Sequence, residues 1–177
     1  MIAERALLCF LLAGLLPAGS VLAADSPPQT MTPMPGKPVA RDFALPDMDK
    51  KIRRLSEARG RLTMVNFWAT WCPPCRRELP SMQRLWEQLR EQGFAMYAIN
   101  LGEDEEAIFP FLLSTGVELT FPILLDAKSE VIKQWPVVAL PTTFVLDRDG
   151  RIVYRAVGGR EWDDEKLVEQ LRTLLKP

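Results

Sequence analysis

Residues 66–80, NFWATWCPPCRRELP, decide the fold of this chain. The run over 61–69, which overlaps the start of that stretch, is mostly apolar and is typical of a buried strand. Pro73 follows Cys72 where a helix can begin, because the first helical position needs no backbone N–H. The helix is predicted to reach Gly93. Its apolar residues recur at helical spacing: Leu79, Met82, Leu85, Trp86 and Leu89. The stretch therefore predicts a strand that leads directly into a helix, with two cysteines at the junction.

Strands and helices alternate on either side of this junction. The predicted elements are a hairpin over 43–45 and 52–55, a strand over 61–69, a helix over 73–92, a strand over 94–101, a helix over 104–114, an extended segment over 121–125, a short helix over 130–135, a hairpin over 142–146 and 152–157, and a last helix capped by Asp163 or Asp164. Strands that alternate with helices and then end in a hairpin imply an α/β domain. We expect a central mixed β-sheet flanked by helices, with an N-terminal β-hairpin.

The composition is that of an ordinary globular protein of 177 residues, 47% of them apolar. The chain carries 22 Lys and Arg against 23 Asp and Glu. A net charge of −1 gives no electrostatic reason to bind nucleic acid or an anionic membrane surface. The histidine count is zero, which excludes His-based triads, His metal ligands and histidine pH switches.

The N-terminal part is typical of a segment that directs export. Residues 6–16 are an unbroken non-polar run, and small residues follow up to Ala24. Residues 1–24 are therefore interpreted as a signal peptide, and residues 6–24 as a membrane anchor in the alternative interpretation. Residues 25–38 are rich in proline and are predicted to be a linker, so the folded domain is expected to span 39–177. Export to the periplasm would place the protein where disulfides persist.

Cys72 and Cys75 are the two cysteines that remain after removal of such a signal. A zinc site would need four ligands, and the exported chain supplies neither a third cysteine nor a histidine. A purely structural disulfide would close a loop of four residues, which stabilises less than longer loops do. A redox-active dithiol is the third interpretation, and the helix start favours it. The unpaired N–H groups and the positive end of the helix dipole stabilise a thiolate at Cys72.

Three segments of the chain resemble the exported TlpA/ResA branch of thioredoxin-like proteins. They are residues 66–80 quoted above, residues 42–46 (DFALP) with Leu55-Ser56 and Gly60 after them, and residues 139–147 (ALPTTFVLD). The resemblance covers the chain from about Val39 to its end. It implies a thioredoxin fold, an enzyme that carries out thiol–disulfide exchange, and exported proteins as substrates.

The same resemblance suggests roles for individual residues. It implies that Cys72 is the attacking thiol, that Cys75 is the resolving thiol, and that Pro141 is a cis-proline packed against the pair. The alternative for Pro141 is an ordinary trans proline at the start of a strand. A cis bond would expose the backbone of Leu140 for pairing with an extended substrate segment. Trp71 is expected to line the substrate groove.

Three further side chains near the cysteines are ambiguous. Trp68 fits the substrate groove and the core equally well. Arg76 and Arg77 fit solvated helix positions better than substrate contacts.

A buried acid is the remaining implication. Cytosolic thioredoxins carry an Asp where this chain has Asn66, which cannot act as a base. In the ResA-like branch an acid three residues after the second cysteine takes its place, and Glu78 stands there. We expect Glu78 to border the apolar stripe of its helix, to have a pKa raised toward neutrality, and to accept the proton of Cys75. The alternative is a solvated surface glutamate.

The leading functional hypothesis is an exported disulfide reductase whose substrates are disulfide-bonded exported proteins, such as apocytochrome c or proteins with copper-site thiols. We expect a membrane electron donor, no cofactor, no metal, no nucleic acid and a monomer. One alternative is a thiol peroxidase of the redoxin type, in which Thr70 would assist the thiolate. The other is a redox-inert Cu(I) chaperone that uses the cysteine pair as ligands.

Overall fold

The computed structural model describes residues 30–176. The strands are β1 Thr32–Pro33, β2 Ala44–Pro46, β3 Ile52–Arg54, β4 Leu62–Trp68, β5 Phe94–Leu101, β6 Ile123–Asp126, β7 Thr142–Leu146 and β8 Ile152–Val157. The α-helices are α1 Pro73–Leu89, α2 Glu105–Ser114 and α3 Glu165–Leu175. Short 3-10 helices cover Leu55–Ala58, Arg90–Gln92 and Ile132–Gln134. The predicted α/β class, mixed sheet and N-terminal hairpin are confirmed.

Six of the strands form one sheet, in the order β1-β8-β7-β4-β5-β6. Strands β4, β5 and β6 run parallel to one another. On the other side of β4 the sheet continues with β7, β8 and β1, and each of these is antiparallel to the strand before it in the sheet. All residues of β4 and β5 are buried, because apolar clusters cover both faces of the sheet. The hairpin of β2 and β3 forms a separate two-stranded sheet. The central strand β4 leads to the cysteine pair.

Helix α1 follows β4 and packs an apolar face into the core. Leu79, Met82, Leu85 and Leu89 are fully buried, as their spacing predicts. Cys72 is the N-cap of the helix, and a proline occupies its first position. The last predicted turn is a 3-10 helix, which ends at Gly93 in the left-handed region with a φ of 81°.

The domain begins earlier in the chain than the sequence predicts. Residues 25–38 are expected to be an unpacked linker, yet Thr32–Pro33 pairs with Arg155 and Tyr154 of β8. The side chain of Met31 is 6% exposed and belongs to the core. Proline is compatible with this position because an edge strand leaves one row of N–H groups unused. The predicted linker boundary at residue 38 is therefore wrong, because residues 31–33 already belong to the domain.

The proposed signal peptide or anchor lies outside the described residues, as does the segment 25–29. None of the helices within residues 30–176 combines the length and apolar character needed to cross a bilayer.

The packing of the first strand can be tested by substitution in the full chain. Met31→Ala should lower the free energy of unfolding by about 2 kcal/mol, because it removes a buried side chain and leaves a cavity. Thr32→Ala is the matched control, since Thr32 is exposed, and should change stability by less than about 0.5 kcal/mol. Urea denaturation measures both. Equal and negligible effects would show that this segment does not pack on the domain.

Candidate active site

Cys72 and Cys75 form a disulfide at the start of α1. The Sγ atom of Cys72 accepts a hydrogen bond from the backbone N–H of Cys75 at 3.3 Å. Cys72 is 3% exposed and Cys75 is fully buried, whereas the neighbouring Trp71 is 67% exposed. The first cysteine therefore lies at the edge of the surface beside an exposed indole ring, and the second faces the core.

The peptide bond between Leu140 and Pro141 is cis. Pro141 immediately precedes β7, which pairs with β4, the strand that leads to Cys72. Its carbonyl oxygen accepts a hydrogen bond from Gly158 N–H at 2.9 Å. Pro141 is buried and Leu140 is half-buried. The alternative of a trans proline is thus excluded for this structure.

Gly159 connects the same region to the cysteine motif. A Cβ atom at this position would lie 2.8 Å from the carbonyl oxygen of Pro74, inside the closest normal contact. Only a residue without a side chain lets the two backbones approach this closely. A Gly-Gly dipeptide in a sequence indicates only a turn, so sequence reasoning missed this contact.

Glu78 lies in α1, three residues after Cys75, and is buried with 1% of its surface exposed. One carboxylate oxygen, Oε1, accepts a hydrogen bond from Asn66 Nδ2 at 2.8 Å. The other, Oε2, accepts one from Trp162 Nε1 at 3.0 Å. The backbone N–H of Arg160 donates a third. Glu78 is therefore a core residue, and the alternative of a solvated surface glutamate is wrong.

Burial raises the pKa of Glu78 to about 7. The three donors and the positive charge of Arg160 act in the opposite direction, because each stabilises the carboxylate. The loss of hydration outweighs them. A carboxyl group with this pKa exchanges its proton near neutral pH, which is the property that a proton acceptor for a buried thiol needs.

Arg160 is a second buried charge close to this carboxyl group. Its guanidinium donates hydrogen bonds to the carbonyl oxygens of Thr30, Val157 and Gly158. It also lies over the ring of Trp162, 5.5 Å from the ring centre. Burial lowers the pKa of Arg160, and the charge of Glu78 raises it. The segment 160–162 thus supplies a cation and two hydrogen-bond donors that no motif in the sequence indicates.

A second acidic residue stabilises the loop before Cys72. Glu103 accepts hydrogen bonds from the backbone N–H of Thr70 at 2.8 Å, from the hydroxyl of Thr70, and from Asn100 Nδ2 at 2.8 Å. Glu103 belongs to a run of four acids that by itself indicates only a solvated surface. Its bonds fix the backbone two residues before the first cysteine.

Trp68 is a core residue rather than a wall of the substrate groove. Its side chain is fully buried at the end of β4 and packs on Phe111, with the ring centres 5.7 Å apart. Every residue of β4 is buried because both faces of the sheet are covered, and Trp68 is the last residue of this strand. Trp71 is the exposed tryptophan next to the cysteines.

Within residues 30–176, no group of three or more Cys, Asp or Glu side chains could hold a metal ion.

Comparison with known proteins places these features in context. The model of the AhpC/TSA family matches residues 36–155. The thiol-disulfide oxidoreductase ResA of Geobacillus kaustophilus is 37% identical over 134 residues, covering 75% of this chain and 76% of the relative. ResA of Bacillus subtilis is 35% identical over 138 residues, covering 78% of this chain and 74% of the relative.

Solved structures give the same result. A thiol-disulfide oxidoreductase from Bacteroides fragilis superposes with a TM-score of 0.65 at 30% identity, covering 77% of this chain and 98% of that protein. A thiol:disulfide interchange protein of the thioredoxin family from Chlorobium tepidum superposes with a TM-score of 0.67 at 26% identity, covering 79% and 97%. The thioredoxin-like fold is therefore confirmed.

The raised pKa of Glu78 predicts a pH dependence of stability. Between its ordinary pKa of 4.5 and its folded pKa of about 7, the folded state binds more protons than the unfolded state. Stability from this group is therefore complete below pH 4.5, falls as the pH rises, and is lost above pH 7, by about 3 kcal/mol in total.

This loss can be isolated by comparison with Glu78→Gln, which does not titrate. The free energy of unfolding of the wild type, minus that of the variant, should fall by about 3 kcal/mol between pH 4 and pH 8. Urea denaturation at several pH values measures the difference, and contributions from the other groups cancel. A difference that stays constant with pH would mean that Glu78 titrates normally.

Proposed function

The chain belongs to the AhpC/TSA family and is a thiol-disulfide oxidoreductase similar to ResA, and from this premise we propose that it reduces disulfides in exported proteins. The observation that carries the proposal is the Cys72–Cys75 disulfide, which lies at the N-terminus of the helix that also carries the buried carboxyl group of Glu78. The first cysteine lies at the edge of the surface beside the exposed indole of Trp71, and the second lies about one helical turn before the acid.

In the proposed reaction the reduced protein transfers two electrons. The thiolate of Cys72 attacks one sulfur of a substrate disulfide, forms a mixed disulfide with it, and releases the other sulfur as a thiolate. Cys75 then loses its proton and attacks Cys72 Sγ, which forms the intramolecular disulfide and releases the second substrate thiolate. The helix N-terminus stabilises the thiolate of Cys72 in the first step.

Glu78 is proposed to accept the proton of Cys75 in the second step, directly or through water. A buried thiol has a raised pKa because its charged form is poorly solvated, so it needs an acceptor close by. Glu78 can be this acceptor at neutral pH. Its pKa is about 7, so about half of the molecules carry the ionised carboxylate at that pH.

Substrate docking is proposed to use Trp71 and the backbone before Pro141. The indole of Trp71 offers exposed apolar area with a polar edge, which suits a transient protein contact. The backbone of Leu140 would pair with an extended segment of the substrate and bring its disulfide to Cys72.

The proposed location of the domain is the periplasm. Residues 1–24 would direct its export as a signal peptide, or residues 6–24 would hold it at the membrane as an anchor. Apocytochrome c and proteins with copper-site thiols are the proposed substrates, and a membrane electron donor would reduce the disulfide again. The protein would act as a monomer.

Electron transfer from this protein to its substrates requires a low reduction potential. We expect a value near that of thioredoxin, about −270 mV, rather than that of a strongly oxidising dithiol protein, about −120 mV. Equilibration with glutathione or dithiothreitol buffers measures it.

Two other functions are less well supported. A peroxidase would need Thr70 to assist the thiolate, but its hydroxyl donates to Glu103. Turnover of hydrogen peroxide with a thiol donor would reveal such an activity. A Cu(I) chaperone would bind the metal through both thiols without redox exchange, and equilibrium dialysis of the reduced protein with Cu(I) tests that function.

Removal of the second thiol should trap the mixed disulfide. Reduced Cys75→Ser is incubated with a peptide that carries an oxidised C-x-x-C-H segment. It should accumulate a covalent adduct that dithiothreitol cleaves, because no second thiol can release the peptide. Non-reducing electrophoresis and intact mass detect it. Cys72→Ser is the matched control and should form none. Adducts from Cys72→Ser instead of Cys75→Ser would reverse the two roles.

Loss of the buried acid should slow one step selectively. Glu78→Gln should reduce the rate of release of the mixed disulfide by up to about 100-fold, leave the first attack nearly unchanged, and flatten the pH dependence between about pH 6 and pH 8. Stopped-flow single turnovers separate the two steps. Glu87→Gln, an exposed position on the same helix, is the control and should behave like the wild type. Equal effects of Glu78→Gln on both steps would assign the proton transfer to water.

A further inference from the structure

A groove of about 360 Å³ lies along the start of α1, and Pro73, the residue after the first cysteine, is part of its lining. One wall is the first two turns of α1, where Pro73, Arg76, Arg77 and Pro80 line it. The other wall is the end of α2, which contributes Phe111 and two hydroxyl residues. The α1 residues recur every three or four positions, so they share one helix face. The groove therefore runs along this face of α1 from the residue next to Cys72 to Pro80.

The charged groups of this groove are all of one sign. Arg76 and Arg77 are exposed, and no carboxylate oxygen within residues 30–176 lies within 4.0 Å of either guanidinium. The guanidinium of Arg76 lies over the ring of Phe111, 5.3 Å from the ring centre, which limits its orientations. Neither cation therefore has a carboxylate partner in the part of the chain that the structure describes.

The hydroxyl groups of the groove are already used. Ser114 donates to the carbonyl oxygen of Phe111 at 2.6 Å, and Thr115 donates to that of Leu112 at 2.7 Å. An incoming group would therefore find two guanidinium groups as its charged donors, between apolar surfaces from the prolines and Phe111. A carboxylate on a short apolar stem matches this arrangement, and an ammonium group does not.

We propose that this groove binds an acidic side chain of the substrate protein, close in sequence to the cysteine that Cys72 attacks. The inference rests on the proposed function and adds a preference to it. From Pro73 to Pro80 the helix rises about 10 Å, which is the length of about three residues of extended chain. The acidic residue would therefore stand one to three positions from the substrate cysteine.

The expected preference is modest and sensitive to salt. An ion pair at an exposed site changes an equilibrium by up to about fivefold, and interactions between exposed charges weaken as ionic strength rises. Complementary charge acts mainly on association, so the preference should appear in kcat/KM and in the rate of the first attack rather than in the release step.

Three synthetic peptides test the proposal. Each has one cysteine in a disulfide with thionitrobenzoate and carries Glu, Gln or Lys two residues from that cysteine. The thiolate of Cys72 attacks the peptide sulfur, the bond to thionitrobenzoate breaks, and the coloured thiolate leaves with the electron pair. Stopped-flow absorbance gives the rate for the reduced protein, for Arg76→Gln, for Arg77→Gln and for the double variant. Arg41→Gln removes the same charge from a different groove and is the control.

The wild type should react about two- to fivefold faster with the Glu peptide than with the Gln peptide, and more slowly with the Lys peptide. The double variant should remove this ratio, Arg41→Gln should keep it, and 0.5 M salt should abolish it in the wild type. Ratios unchanged by the arginine substitutions would overturn the proposal while leaving the oxidoreductase function intact. No reaction above that of Cys72→Ser with any peptide would overturn both.

Discussion

The site depends on a carboxyl group buried in the core. Moving a carboxylate out of water costs several kcal/mol unless hydrogen bonds replace its hydration. Glu78 obtains these bonds from Asn66 in the central strand and from Arg160 and Trp162 near the C-terminus. The strand, the cysteine helix and the last loop are therefore joined through one acid. The three donors are sufficient to keep the group in the core but insufficient to keep it ionised below neutral pH.

Much of this arrangement could be predicted because local signals agree with the fold. Helix α1 is indicated by its proline, its apolar spacing and Gly93, and β7 and β8 have the predicted bounds. The position of Glu78 follows from a family resemblance and from its place at the margin of an apolar stripe. These features depend on residues within a few turns of one another, which is the range over which periodicity and capping act.

The features that could not be predicted are contacts between distant segments. Arg160 and Trp162 lie about 80 residues from Glu78 in a loop without a motif, and their role depends on packing. Arginine is usually a surface residue, yet Arg160 is buried and its guanidinium donates to backbone carbonyl oxygens. The N-terminal edge strand has a composition typical of a linker, and its pairing with β8 and the burial of Met31 make it part of the domain.

The hydrogen bond between the guanidinium of Arg160 and the carbonyl oxygen of Thr30 connects the N-terminal edge of the described chain to the residue whose backbone donates to Glu78. Loss of the edge strand would leave this buried guanidinium with one acceptor fewer, and an unsatisfied buried donor is costly. Proteolysis near residue 30 would therefore disturb the surroundings of the buried acid, although the two positions are far apart in the sequence.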